Sequence, residues 1–315
     1  MRVAAIDCGT NSLRLLVADV DPAAGTLADV DRRMEIVRLG QGVDATGRLA
    51  PDALARTLAV LADYAATVAG AGAPPVRMVA TSATRDAANA ADFVTGVRGV
   101  LGIDPEVLTG DEEALLSFTG ATAELAAGQA APPYLVADIG GGSTEFVLGD
   151  PPMVTAAASV DIGCVRMTER HLRGDPPTPA QAAAARADID AALDVVAAKI
   201  PVTDARTLVG LAGSVTTVAA LALGLQAYDA ARIHHARISA GQVREQAARL
   251  LAQPHAERAR LGVMHPGRVD VIAGGAMVLE EIMTRFRFTE VLVSEHDILD
   301  GIAWSLALGA PGAQG

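Results

Sequence analysis

Lysine is almost missing from this chain: among 25 basic residues only Lys199 is a lysine, and the rest are arginines. That absence excludes the Gly-x-x-x-x-Gly-Lys loop with which many ATPases hold phosphate. Aromatic residues are scarce too, 3% against 51% hydrophobic residues overall, so the cores must be built from Ala, Val, Leu and Ile packed between helices and sheets. Two cysteines, Cys8 and Cys164, give neither a disulfide framework nor a metal-binding spacing. The six histidines show no zinc spacing, and His234, His235 and His296 are expected in surface or core roles. No Ser-His-Asp or Cys-His arrangement is readable. An acid at position 7 and no signal-peptide organisation, together with the cysteine usage, lead to a cytoplasmic expectation. The stretch between Arg206 and Asp229 is uncharged and long enough to span a bilayer. Gly210, Gly213, Ser214, Thr216, Thr217 and Gly224 interrupt it, so it reads as a strand, a Gly-Ser turn and a buried helix, with no membrane partner expected. A formal charge of −12 excludes a general nucleic-acid-coating surface. It leaves room for a polyanion held in a local cleft by Arg, backbone N–H groups and metal. Arg suits bidentate phosphate contacts, although a GC-rich genome accounts for the bias as well.

What is present is one device written twice. Val3–Asp19 contains Asp7-Cys-Gly9-Thr10-Asn11-Ser12-Leu-Arg14, and Tyr134–Gly149 contains Asp138-Ile-Gly140-Gly141-Gly142-Ser143-Thr144-Glu145. Each reads as an apolar strand, an Asp, a Gly/Ser/Thr-rich turn and a second apolar strand. Such a turn lets consecutive N–H groups converge on an anion. The preceding Asp stands where it can hold a hydrated divalent cation beside bound phosphates. A single copy would be a plain hairpin; two with matching offsets point to related domains facing each other across a phosphate-binding cleft. Neither copy reads Gly-x-Gly-x-x-Gly, and each is followed by a strand rather than a helix, which disfavours a dinucleotide fingerprint.

The 315 residues suffice for two domains. In the first part a third strand is expected near Met34–Arg38, a polar turn at Gly40–Gly47, and a helix from Pro51 to Val68 presenting Leu54, Leu58 and Leu61. A strand at Val76–Ala80 leads to Thr81-Ser82-Ala83-Thr84-Arg85 and a helix that Arg85 opens. Another strand at Glu106–Leu108 leads to Thr109-Gly-Asp-Glu-Glu-Ala114. The small-residue connector 126–133 marks the boundary. The second part repeats the plan with a strand near Val154–Ser159, a helix from Thr178 to Lys199, a strand at Thr207–Gly210, a strand at Glu290–Val293 and a helix from Asp297 to Leu308. Alternating strands and helices mean an α/β sheet with its sites at the strand C-terminal ends.

Phosphoryl transfer needs phosphate cradles, a metal and a group that orients the nucleophile. The two loops, Gly9–Ser12 and Gly140–Thr144, are the candidate cradles. Asp138 and Glu145 offer two carboxylates to one Mg²⁺, with Asp7 a further metal candidate, and Arg14 offers a cation to phosphate. Arg14 and Glu145 also read as outward-facing strand residues. Glu113, after a strand and opening a helix, is the candidate base, though acids in a first helical turn are also ordinary dipole partners, the role expected of Asp111 and Glu112. Arg85 suits phosphate or solvent, and Gly213-Ser214 suits an anion or an ordinary turn.

Six ordered motifs, Ile6–Arg14, Thr81–Arg85, Thr109–Ala114, Asp138–Glu145, Gly210–Thr217 and Gly267–Gly274, resemble the exopolyphosphatase/guanosine pentaphosphate phosphohydrolase family of the actin/sugar kinase/Hsp70 superfamily, most of all its short actinobacterial members. The resemblance spans essentially the whole chain. It implies an α/β fold of two actin-like (ribonuclease H-like) domains with an interdomain cleft, residues 1–128 and 129–296, with the C-terminal helix 297–315 packing back on the first. It implies release of orthophosphate from inorganic polyphosphate, or of the 5′ γ-phosphate from guanosine pentaphosphate, with Mg²⁺ or Mn²⁺ near Asp138 and Glu145, water activated by Glu113, and Arg85 stabilising the transferring phosphoryl. A homodimer is implied on the same ground. Other classes compatible with the loops are an actin-like kinase and a non-catalytic polyphosphate or nucleotide sensor. Longer family members carry an added helical C-terminal domain, so its long-chain tethering is not carried over. The family pattern Leu-Arg-Glu-Gly reads Ile298-Leu299-Asp300-Gly301 here, so no role passes to position 299.

Overall fold

The structure, a computed structural model, describes residues 1–123, 125 and 130–309. Residues 126–129 of the expected connector and 310–315 of the expected last helix lie outside the described residues. The chain divides into two compact units, Met1–Ala123 with the segment from Ile298 onward, and Glu124–Asp297.

The first unit opens with β1 (Arg2–Cys8), β2 (Ser12–Asp21) and β3 (Thr26–Ile36). It continues through α1 (Val43–Thr46), α2 (Pro51–Gly70), β4 (Val76–Ala80), α3 (Ser82–Arg85), α4 (Ala90–Leu101), β5 (Glu106–Val107) and α5 (Gly110–Thr122). The third strand begins well before the expected Met34: its charged outer residues, Asp29, Asp31, Arg32 and Arg33, hide the alternation that would have marked it. Pro51 occupies the first turn of α2, where its missing N–H is harmless. β5 pairs over two residues only, and Arg85 ends α3 instead of opening a helix.

The second unit runs β6 (Tyr134–Ile139), β7 (Thr144–Asp150), β8 (Met153–Val160), α6 (Cys164–His171), α7 (Pro179–Lys199), β9 (Thr207–Leu211) and α8 (Ala212–Ala222). Then come α9 (Ala230–Ile233), β10 (Arg237–Ser239), α10 (Ala240–Ala252), α11 (His255–Arg258), α12 (Ile272–Arg285) and β11 (Glu290–Val293). Thr178 starts α7 as an N-cap, its side chain accepting from Gln181 N–H while Gln181 reaches back. Gly213 and Ser214 lie inside the first turn of α8, so the expected Gly-Ser turn is the start of a helix. α13 (Ile298–Ala307) closes the described chain within the first unit.

Both sheets share one plan. The first has the order β3-β2-β1-β4-β5 and the second β10-β11-β9-β6-β7-β8. In each, three antiparallel strands made from consecutive hairpins are followed by strands running parallel to the first. That is the actin-like, ribonuclease H-like strand order, with β10 added antiparallel at one edge.

Strand alternation sorts the first core. Ala4, Ile6, Leu13, Leu15 and Val17 pack with Leu61, Tyr64, Phe93 and Val97 of α2 and α4. Val3, Ala5, Leu16, Ala18 and Val20 pack with Ile298, Leu299, Ile302, Ala303 and Leu306 of α13. Leu299 is thus a core residue. Asp300 beside it is buried and receives the Arg32 guanidinium from β3, which keeps that arginine's pKa raised. In the second unit Leu135, Ala137, Ile139, Phe146 and Leu148 pack with residues of α7, α10 and α12, including Ile189, Leu193, Val243 and Met277. Among the described residues no helix is long and apolar enough to cross a membrane; the uncharged stretch after Arg206 is β9 and the buried helix α8.

Candidate active site

In the first unit the expected residues collect at the C-terminal ends of β1, β4 and β5. Asp7 continues the row of Val3 and Ala5 and pairs in register with Arg14 of β2. The Arg14 guanidinium donates from Nε and Nη2 to Asp7 Oδ2, at 3.0 and 2.6 Å. The turn between them closes with Gly9 N–H on Ser12 O at 3.0 Å. Its carbonyls are gripped from outside: Asn11 O accepts from Val37 and Arg38 N–H, and Thr10 O from Gly40 N–H. Gly40 must be glycine for this approach, since a Cβ there would stand 2.3 Å from Thr10 Cγ2. Thr10 Oγ1 also shares a 2.9 Å hydrogen bond with Ser82 Oγ, tying the loop to the segment after β4.

Glu113 sits in the first turn of α5, only 8% exposed. Its neighbour Glu112 does the capping: Thr109 Oγ1 accepts from Glu112 N–H, and Glu112 Oε2 accepts from Thr109 N–H at 2.8 Å. These hydrogen bonds from Thr109 hold the Glu112 carboxyl below the ordinary range. Glu113 is therefore released from cap duty and turned inward. Arg85, half-buried, reaches it with Nη1 at 3.3 Å from Oε2 and also donates to Leu108 O at 2.9 Å. Base candidate and arginine candidate are in direct contact.

In the second unit Asp138 pairs in register with Glu145, so two carboxylates stand where the first unit sets an acid against an arginine. Side chains directly opposite in an antiparallel pair share a face with Cβ atoms roughly 5 Å apart. Asp138 is 7% exposed and Glu145 1%. Ser159 of β8 donates to Glu145 Oε1 at 2.8 Å. Two buried like charges at this spacing repel unless a cation or proton intervenes.

The glycine loop between them is gripped through its carbonyls by α6. Cys164 N–H donates to Gly140 O at 2.9 Å, Val165 and Arg166 N–H to Gly141 O, and Gly163 N–H to Gly142 O. In a trans peptide C=O and the following N–H point opposite ways. The N–H groups of Gly141, Gly142 and Ser143 are thus directed away from α6, as an anion cradle requires. Thr144 Oγ1 donates instead to Ile162 O.

Gly213 and Ser214 follow β9, the strand beside β6. Arg268, on which the sequence placed no role, packs over Gly213: its Nη1 lies 3.3 Å from Gly213 O, and a Cβ on Gly213 would meet its Cζ at 2.1 Å. Only the long-range fold brings them together. Ser214 is pressed against Gly275 of α12. Burial raises both thiols, Cys8 with Asp7 adding to the effect. His234 and His235 stack with ring centroids 3.7 Å apart, and His235 adopts φ +61. His296 lies 4.7 Å from His234, and Glu295 N–H donates to His234 Nδ1.

Among the described residues no group of three or more His, Cys, Asp or Glu is placed to hold a metal. A pair of carboxylates next to an anion cradle suits Mg²⁺, which keeps several waters and is commonly bound by one or two carboxylates plus substrate phosphates.

The Ppx/GppA phosphatase family matches residues 16–309 of the chain. Exopolyphosphatase 2 of Mycobacterium tuberculosis is 53% identical over 97% of this chain and 98% of its own. Among solved structures, an exopolyphosphatase-like protein superposes with TM-score 0.94 at 40% identity, covering 98% of this chain and 99% of the other. The Aquifex aeolicus member of the family superposes with TM-score 0.82 at 31% identity, over 98% of both chains. With a family match over most of its length and a 53% identical relative spanning nearly the whole chain, the chain belongs to the Ppx/GppA phosphatase family.

Proposed function

We propose that the protein is an exopolyphosphatase that hydrolyses the terminal phosphoanhydride of inorganic polyphosphate and releases orthophosphate. The observation that carries this reading is the opposed pair Asp138 and Glu145 beside a glycine loop whose N–H groups are turned outward. The name of the M. tuberculosis relative supports the choice of substrate.

In this reading the N–H groups of Gly141, Gly142 and Ser143 receive the oxygens of a terminal phosphate. Asp138 and Glu145 are the residues that would hold Mg²⁺, or Mn²⁺ in its place, and the bound ion would supply charge neutralisation to the phosphate oxygens. Glu113 takes a proton from the attacking water as the new P–O bond forms. The bond to the bridging oxygen breaks, and the chain leaves one phosphate shorter. Arg85, held against Glu113, supports the base and meets charge on the phosphoryl group. Asp7 serves through Arg14, fixing a guanidinium for phosphate.

The test is phosphate release, with Mg²⁺, from short polyphosphate, long polyphosphate and guanosine pentaphosphate side by side. Release from polyphosphate is expected. No release at any polymer length ends the reading, and release from guanosine pentaphosphate alone transfers the activity to that substrate.

A further inference from the structure

The glycine loop of the second unit makes few demands on its own sequence to hold its shape, because α6 holds it. Four backbone N–H groups, from Gly163, Cys164, Val165 and Arg166, fall on the carbonyls of Gly140, Gly141 and Gly142. Gly163 reaches the loop only because it lacks a side chain: a Cβ there would lie 2.3 Å from the Gly141 carbonyl carbon and 2.5 Å from Gly142 N. One side chain joins this backbone grip. Arg166 Nε donates to Gly142 O at 2.7 Å, a length typical of a charge-assisted bond. The guanidinium is mostly buried and faces the exposed Asp161 with Nη2 at 3.7 Å.

We propose that Arg166 is a positioning residue for phosphate binding, setting the Gly142–Ser143 peptide so that its N–H faces the substrate. The inference rests on the proposed use of the loop as a cradle. A cation on Gly142 O fixes the peptide plane and polarises it, which strengthens the Ser143 N–H as a donor. The first unit grips the carbonyls of its own loop through Val37, Arg38 and Gly40 backbone N–H groups, and ties its Thr10 hydroxyl to Ser82. On the second loop an arginine side chain reaches a carbonyl directly. Arg166 acts through a carbonyl.

Arg166→Ala and Arg166→Lys are the variants to compare with the native enzyme on tripolyphosphate and Mg²⁺. Displacing a binding group by a fraction of an ångström to one ångström costs about 10²-fold, so Arg166→Ala should lose between about tenfold and 10²-fold in kcat/KM. The lysine variant should recover part of that loss, and the thermal midpoint should change little in either. Added methylguanidinium should restore activity to Arg166→Ala, whereas urea, of similar shape but uncharged, should not. Pyrophosphate binding by calorimetry, in a Glu113→Gln background without turnover, should weaken in parallel. That last measurement separates the two ideas: an inactive native enzyme would remove the proposed function, yet weakened pyrophosphate binding in Arg166→Ala would still support the clasp. Native kcat/KM in Arg166→Ala, or a loss that tracks a lowered thermal midpoint and answers to neither lysine nor methylguanidinium, overturns the proposal.

Discussion

Asp7 and Arg14 face each other across the first hairpin, joined by two hydrogen bonds to one carboxylate oxygen. The corresponding register position in the second hairpin pairs Asp138 with Glu145. One hairpin sets its acid against an arginine, and the other sets two acids opposite each other. This difference makes opposite demands on stability.

Asp7→Asn should destabilise, because it leaves a partly buried guanidinium facing an amide; removing one member of such a pair costs on the order of 3 kcal/mol. Glu145→Gln, in metal-free buffer, should be neutral or slightly stabilising, since it relieves opposed charge while its amide oxygen can still accept from Ser159. Denaturant melts in a chelator decide the signs. Adding Mg²⁺ should then raise the native midpoint and leave Glu145→Gln nearly unmoved.

Glu113→Gln should lower phosphate release by at least about 10² while polyphosphate binding stays largely intact. The amide keeps the size of the side chain but cannot take the water's proton. Steady-state kinetics and equilibrium binding read the two effects separately, and unchanged turnover would remove Glu113 from the mechanism.

The cap of α5 carries a pH signature. Hydrogen bonds from Thr109 lower the Glu112 pKa from 4.5. A depressed carboxylate contributes stability that is fully present above its unfolded value and is lost as pH falls through the folded one. The native protein should therefore exceed Glu112→Gln in stability at neutral pH, with the gap closing below about pH 4.5. Thr109→Ala should cost about 0.5–2 kcal/mol. Thermal melts across pH 3 to 7 (about the carboxylate range) check both.

Gly301→Ala tests the seam between α5 and α13. A Cβ there would stand 2.0 Å from Leu116 O, a backbone atom that cannot step aside. A loss of about 1–3 kcal/mol is expected from such overpacking, read by urea midpoints.

The parts of the fold that were readable in advance are those written locally. Pro51 and Thr178 announce the starts of α2 and α7, and two Asp-x-Gly hairpins announce the paired sheets. Glu112 reads in the sequence as a dipole partner beside Asp111; its capping role with Thr109, which leaves Glu113 for the interior, is a finding of the folded helix. What stayed hidden depends on contacts far along the chain. Gly213-Ser214 looks like a turn until α8 continues through it, and Arg268 lands on Gly213 only in the folded unit. Arg85 looked like a helix opener because its contact with Glu113 cannot be read from either segment alone. The pairing of Arg14 with Asp7 likewise follows from strand register, which the sequence suggests but does not state.

The return of α13 to the first sheet has a consequence for biosynthesis. Val3, Ala5, Leu16, Ala18 and Val20 precede the whole second unit in the chain, and the helix that covers them follows it. During synthesis that apolar sheet surface must wait uncovered while the second unit, contiguous in the chain, can already assemble. Nascent chains halted just short of Ile298 should accordingly draw chaperones to the amino-terminal strands.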